Sequence, residues 1–160
     1  MGLMSRQKHT QGFSIIEVLV VIAAMAVLAA LSYSAYKSFN DHEVLEKEAV
    51  KIVALYEEAR SLSVGSKDGS VYGVHVESAK AVEFKGETYS AGNADNVDEA
   101  LNPRVTISNI SLSGGGSEVV FSRIGGTTTK SGTVTLSLVA DPLATQVITI
   151  YLSGLVEITD

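Results

Sequence analysis

Residues 12–31, Gly12-Phe13-Ser14-Ile15-Ile16-Glu17 followed by Val18 to Leu31 (GFSIIEVLVVIAAMAVLAAL), decide how this chain is read. After Gly12 the run is almost wholly apolar and carries a single charge, Glu17. As a helix rising ~1.5 Å per residue it matches a bilayer's hydrocarbon thickness, so a membrane-crossing segment over residues 13–31 is expected. A carboxylate inside such a segment costs roughly 2.5–3.5 kcal/mol on insertion scales and needs a compensating partner. Ahead of the run stands a short polar leader with Arg6 and Lys8. Positive charge stays on the cytoplasmic side, which puts the C-terminal bulk outside.

An export signal accounts for part of this pattern. The basic leader would be its n-region, and Ala30-Leu31-Ser32 would pass for a cleavage site. The apolar run is longer than a usual signal core, however, and an acid within it is foreign to one. A plain single-span anchor leaves the spacing of Gly12, Phe13 and Glu17 without a reason.

Gly12-Phe13-Ser14-Ile15-Ile16-Glu17 before an apolar run resembles the processing motif of type IV pilins and type II secretion pseudopilins. The resemblance implies a leader of residues 1–12, cut between Gly12 and Phe13 by a prepilin peptidase, with N-methylation of Phe13. It implies that Glu17 meets the N-terminus of a neighbouring subunit and sets filament register. Physical chemistry agrees with that role. Cleavage exposes an ammonium in apolar surroundings, where an unpaired charge is costly, and methylation leaves the charge in place. At the start of a helix, Glu17 also interacts favourably with the helix dipole.

From residue 32 to 64 the pattern remains helical and becomes amphipathic. Tyr36, Phe39, Leu45, Ala49, Ile52, Val53, Tyr56, Ala59 and Leu62 gather on one face, and Glu43 with Lys47 forms an i,i+4 pair. Gly65 is the expected terminator. Asn40 with Glu43 reads as a capping box that starts a new helix after a kink. Ser34 stands where many of the resembled chains have proline, which removes the obvious place to bend.

Beyond residue 65 the period changes to two. Strands are expected at 72–76, 82–84, 105–112, 118–123, 133–139, 146–152 and 155–158, separated by glycine-rich turns. Val82 and Phe84 are expected on a dry face with Glu83 on the wet one, and His75 on the wet face of its strand. Residues 91–103 read as a polar surface loop. The fold class is therefore α+β: a long N-terminal helix, apolar then amphipathic, packed on an antiparallel β head over residues 65–160. Four phrases, Glu58-Ala59-Arg60-Ser61, Val120-Phe121-Ser122-Arg123, Ser131-Gly132-Thr133-Val134 and Ile148-Thr149-Ile150 with Gly154, resemble H-type minor pseudopilins and related minor pilins.

The 160 residues contain no cysteine, so no disulfide supports the head. A net charge of −6, or −8 once Arg6 and Lys8 are removed, argues against a nucleic-acid partner. Arg104, Arg123 and Lys130 are the only candidate basic patch. Catalytic motifs and cofactor loops are missing from the sequence, and no cofactor or enzymatic activity is expected. A pocket bringing His75 to a serine would revive an anchored hydrolase. Asn93, Asp95, Asn96, Asp98 and Glu99 offer oxygen atoms for calcium, without the spacing of a known calcium loop.

The expected function is that of a minor pseudopilin or pilin subunit in the cytoplasmic membrane, single-pass with its head outside, then in a type II secretion pseudopilus or type IV pilus. Its partners would be a prepilin peptidase, the membrane, and other subunits through the N-terminal helix. The alternative is a filament-tip binding module for DNA uptake or adhesion.

Overall fold

The computed structural model describes residues 12–159. Arg6, Lys8 and most of the expected leader lie outside them. The chain divides into two compact units, Met1–Phe39 and Asn40–Asp160, and helix α1, Ile15–Val64, contributes to both. In the first unit the stretch Ile15–Tyr33 is long and apolar enough to cross a membrane, and none of it is buried. Tyr36 and Phe39 are also exposed, so the buried face of the amphipathic half starts at Leu45 and not at Tyr36.

Asn40 lies within α1, where its backbone is helical, so it does not cap a second helix. Glu43 and Lys47 do pair, at 3.7 Å. Helix α1 ends at Val64, as Gly65 suggested, but the left-handed residue that turns the chain is Ser66 (φ 48°), one place later. A short 3-10 turn, Lys67–Gly69, leads into the strands.

The second unit carries eight strands: β1 (Tyr72–Val76), β2 (Lys80–Lys85), β3 (Val97–Ala100), β4 (Val105–Leu112), β5 (Glu118–Phe121), β6 (Gly132–Leu138), β7 (Thr145–Ile150) and β8 (Val156–Thr159). They form two antiparallel sheets of order β3-β2-β1-β5 and β4-β6-β7-β8. Leu45, Ala49, Ile52, Tyr56 and Ala59 from α1 join residues of both sheets in one apolar cluster. A helix with one apolar stripe must bury it against such faces, and this α+β arrangement does so.

Three expectations need correction. Residues 91–103 contain β3, which pairs Val97 with Glu83 and Ala100 with Lys80. Val82 and Phe84 are buried, but they stand outside the cluster built on α1, whereas Ala81 belongs to it. Glu83 shares the face of Ala81, since side chains alternate along a strand, and only 6% of it is exposed. His75 is half-buried: its ring stacks on Tyr89 at 4.0 Å. Sheet β3-β2-β1-β5 is thus covered on both faces, by α1 on one side and by the Tyr89 segment on the other.

Candidate functional site: the helix start and the head junction

Ser14 opens α1, its carbonyl accepting from the Glu17 N–H at 3.1 Å and the Val18 N–H at 3.3 Å. Gly12 lies before the helix without regular structure, exposed, and a Cβ added there would meet nothing within 4 Å. Phe13 is 84% exposed and Glu17 lies one turn further on. Phe13, Glu17, Val18, Val21 and Ile22 line a shallow groove of about 300 Å³. Phe13 and Glu17 thus face one groove, and Gly12, Phe13 and Glu17 are all exposed. Glu17 is the only charge in the exposed apolar surface of Ile15–Tyr33.

The remaining candidates do not gather into a site. Arg104 bonds Asp41 at 2.7 Å, Arg123 reaches Ser66 at 3.4 Å, and Lys130 bonds the Gly115 carbonyl. The basic trio is therefore three separate contacts. Asp98 is held by Lys80 at 2.8 Å and Glu99 by Lys51. That attraction raises the Lys51 pKa. Among the described residues no cluster of His, Asp or Glu is arranged to hold a metal ion.

His75 does come close to a serine. Ser117 Oγ lies 3.4 Å from His75 Nδ1, and Glu77 Oε1 lies 3.7 Å from Nε2. The juxtaposition has the elements of an acyl-transfer triad at distances longer than working hydrogen bonds. One ring face is covered by Tyr89, whose N–H donates to Glu118 at 3.0 Å. What the contacts demonstrably do is pin the segment after β2 to the outer face of its sheet.

Sequence reading missed the junction at the far end of α1. Arg60 Nε donates to the Gly126 carbonyl at 3.0 Å. Gly154 sits directly against that carbonyl, where a Cβ would lie 1.8 Å from the oxygen. Ser122 accepts from the Thr127 N–H at 3.1 Å, and the Leu152 carbonyl accepts from the Thr128 N–H at 3.0 Å. Three of the four quoted phrases meet here, although Arg60 and Gly126 are far apart in sequence. Their spacing along the chain carried no sign of it.

Residues 7–33 match the family described as the prokaryotic N-terminal methylation motif. The fold resembles the type IV minor pilin FimU of Pseudomonas aeruginosa in two crystal forms. One gives a TM-score of 0.56 at 15% identity, over 76% of this chain and 92% of that one. The other gives 0.53 at 15% identity, over 72% and 93%. No curated protein matches the chain. Residues 7–33 thus carry the N-terminal methylation motif, and the fold is like that of a type IV minor pilin. The matched motif spans Gly12, Phe13 and Glu17, all of them exposed.

Proposed function

We propose that the chain is a minor subunit of a type II secretion pseudopilus or a type IV pilus, held first in the bacterial cytoplasmic membrane with its head outside. A prepilin peptidase cuts between Gly12 and Phe13, and the new Phe13 amine is methylated. Glu17 then meets the Phe13 ammonium of a neighbouring subunit as the apolar helices pack together. The H-type pseudopilin phrases and the FimU-like fold favour a minor subunit.

One observation carries this reading: within an exposed apolar helix, the sole carboxylate stands one turn after the Gly12–Phe13 bond in the matched motif. Uncompensated, that charge opposes the membrane; paired with an amine on another copy, it favours assembly. The test is mass spectrometry of the mature chain together with a Glu17→Gln variant. A mature N-terminus at methylated Phe13, and a variant that is processed but absent from sheared filaments, are expected. A mature chain beginning near residue 33, or normal incorporation of the variant, would overturn it.

A further inference from the structure

Beside the Tyr89 segment the outer face of sheet β3-β2-β1-β5 is open, and a groove of about 610 Å³ lies there. Its floor is apolar, made by half-buried Val71 and by half-buried Val120 of β5. Val120 pairs with Gly73, which alternation puts on the same face as His75. Thr127, Thr128 and Thr129 run along the outer edge of β5, where Phe121 bridges Thr128. Glu87 follows β2, on the far side of β1, so hydroxyls and carboxylate stand on opposite sides of the floor. Arg123 also lines the groove. The volume falls within the roughly 300–1,000 Å³ of small-ligand sites.

The hydroxyl side is built rigidly. Thr128 is only 8% exposed; its N–H donates to the Leu152 carbonyl at 3.0 Å, and its Oγ1 accepts from the Lys130 N–H at 3.2 Å. Ser122 Oγ accepts from the Thr127 N–H at 3.1 Å and lies 2.8 Å from the Thr127 hydroxyl. On the other side the Gly86 N–H donates to the Val71 carbonyl at 2.8 Å, which fixes where Glu87 leaves β2. A groove held in this way pays little ordering cost when it binds. Glu87 and Arg123 are exposed on it, and neither makes an ion pair among the described residues.

We propose that this groove binds a short uncharged oligosaccharide. A sugar hydroxyl both donates and accepts, so it can donate to the Glu87 carboxylate, accept from the Arg123 guanidinium and do either with the threonine hydroxyls. Bonds to the two charged groups are the strong ones. The C–H faces of the rings rest on Val71 and Val120. One acid and one base leave the groove without net charge, which gives a phosphate or another anion no advantage. A peptide strand needs a free sheet edge, and that of β5 is taken by Thr128. The inference goes beyond the filament reading, which rests on the N-terminal helix, and either can fail without the other.

The full-length chain in lipid nanodiscs is titrated by saturation-transfer NMR with maltotriose, cellotriose and the N-acetylglucosamine trimer, and with inorganic phosphate and trialanine for comparison. Binding of at least one sugar, with none of phosphate or trialanine, is expected. Glu87→Gln and Arg123→Gln should each weaken it about tenfold, since each removes a charged hydrogen-bond partner. Thr129→Val keeps the shape and should weaken it several-fold, whereas Glu43→Gln on α1 should leave it unchanged. An uncharged ligand should bind equally well at low and high salt. Unchanged melting temperatures of these surface variants report that the head is intact. No binding of any of the three sugars, preference for phosphate or trialanine, indifference to both Glu87→Gln and Arg123→Gln, or a steep salt dependence would each overturn the proposal.

Discussion

The Ser63 hydroxyl, fully buried, accepts from the Tyr72 N–H at 2.8 Å and donates to the Tyr72 carbonyl at 3.2 Å. One side chain on the last turns of α1 thereby bonds both backbone groups of Tyr72 at the start of β1, binding helix to sheet where the chain changes direction. Tyr72 also pairs with Phe121 of β5, so Ser63→Ala would remove the helix's hydrogen bonds to β1 without orphaning the strand, at about 0.5–1.5 kcal/mol for each bond lost. Urea unfolding of a variant lacking residues 1–31 should show a lower midpoint for Ser63→Ala with an unchanged slope. An unchanged midpoint would mean that water replaces the hydroxyl.

Glu83 gives the head a pH dependence of unusual sign. Burial first, and the like charge of Glu58 second, push its carboxyl up to about 7 from 4.5, with Lys67 opposing them. Its Oε2 has no hydrogen-bond partner. A raised pKa means that the folded state holds the proton more tightly than the unfolded chain. The associated stability is complete below pH 4.5 and is lost as pH rises through 7. Glu83→Gln removes the ionisation. Its melting temperature relative to the parent should climb between pH 5 and 8, on a scale of about 4–8 °C per kcal/mol for a domain of this size. Parallel curves for the two proteins would place the ionised carboxylate in water.

The same residue shows why part of the fold was illegible in the sequence. In β6, Val134, Leu136 and Leu138 are buried where the alternation puts them and Thr133 and Thr135 on the other face are partly exposed, although Ser137 beside them is buried too. Around Glu83 the alternation misleads, because the Tyr89 segment covers the second face and buries Val82 and Phe84 there. A polar residue was then assigned to water when it faces the core. β3 escaped notice because Val97-Asp98-Glu99-Ala100 has almost no buried side chain; its pairing with β2 is made by backbone and by the Asp98–Lys80 ion pair, while Glu99 ties it to Lys51 on α1. The N-terminal methylation motif was legible because its pattern is local, whereas the Arg60 junction depends on residues that meet only after folding.

Gly154 tests that junction. Its φ of 80° is left-handed, and an added Cβ would strike the Gly126 carbonyl that Arg60 also binds. Neither oxygen nor backbone can move without lifting the turn 151–154 off the turn 122–127. Gly154→Ala should therefore cost about 1–3 kcal/mol from backbone strain before the clash is counted. Limited proteolysis should reveal the loss as new cleavage within 122–127, with β6 and β7 still resistant. Cleavage identical to the parent's would show that the two turns are not coupled.

Arg60 supports the same turn from the helix, and its contribution separates from that of the glycine. Its Nε reaches the Gly126 carbonyl, and its side chain packs along Gly126 and Gly154, so both charge and stem are used. Arg60→Lys keeps the charge and much of the stem but loses the fixed planar donor. Arg60→Leu keeps packing and loses the hydrogen bond altogether. If the charged donor to a carbonyl matters most, Leu should be worse than Lys, with a loss of about 1.5–3 kcal/mol for a hydrogen bond to a charged group. Equal losses in thermal unfolding at low and high salt would assign the role to the stem, because packing against Gly126 is indifferent to ionic strength while an exposed charge contact is not.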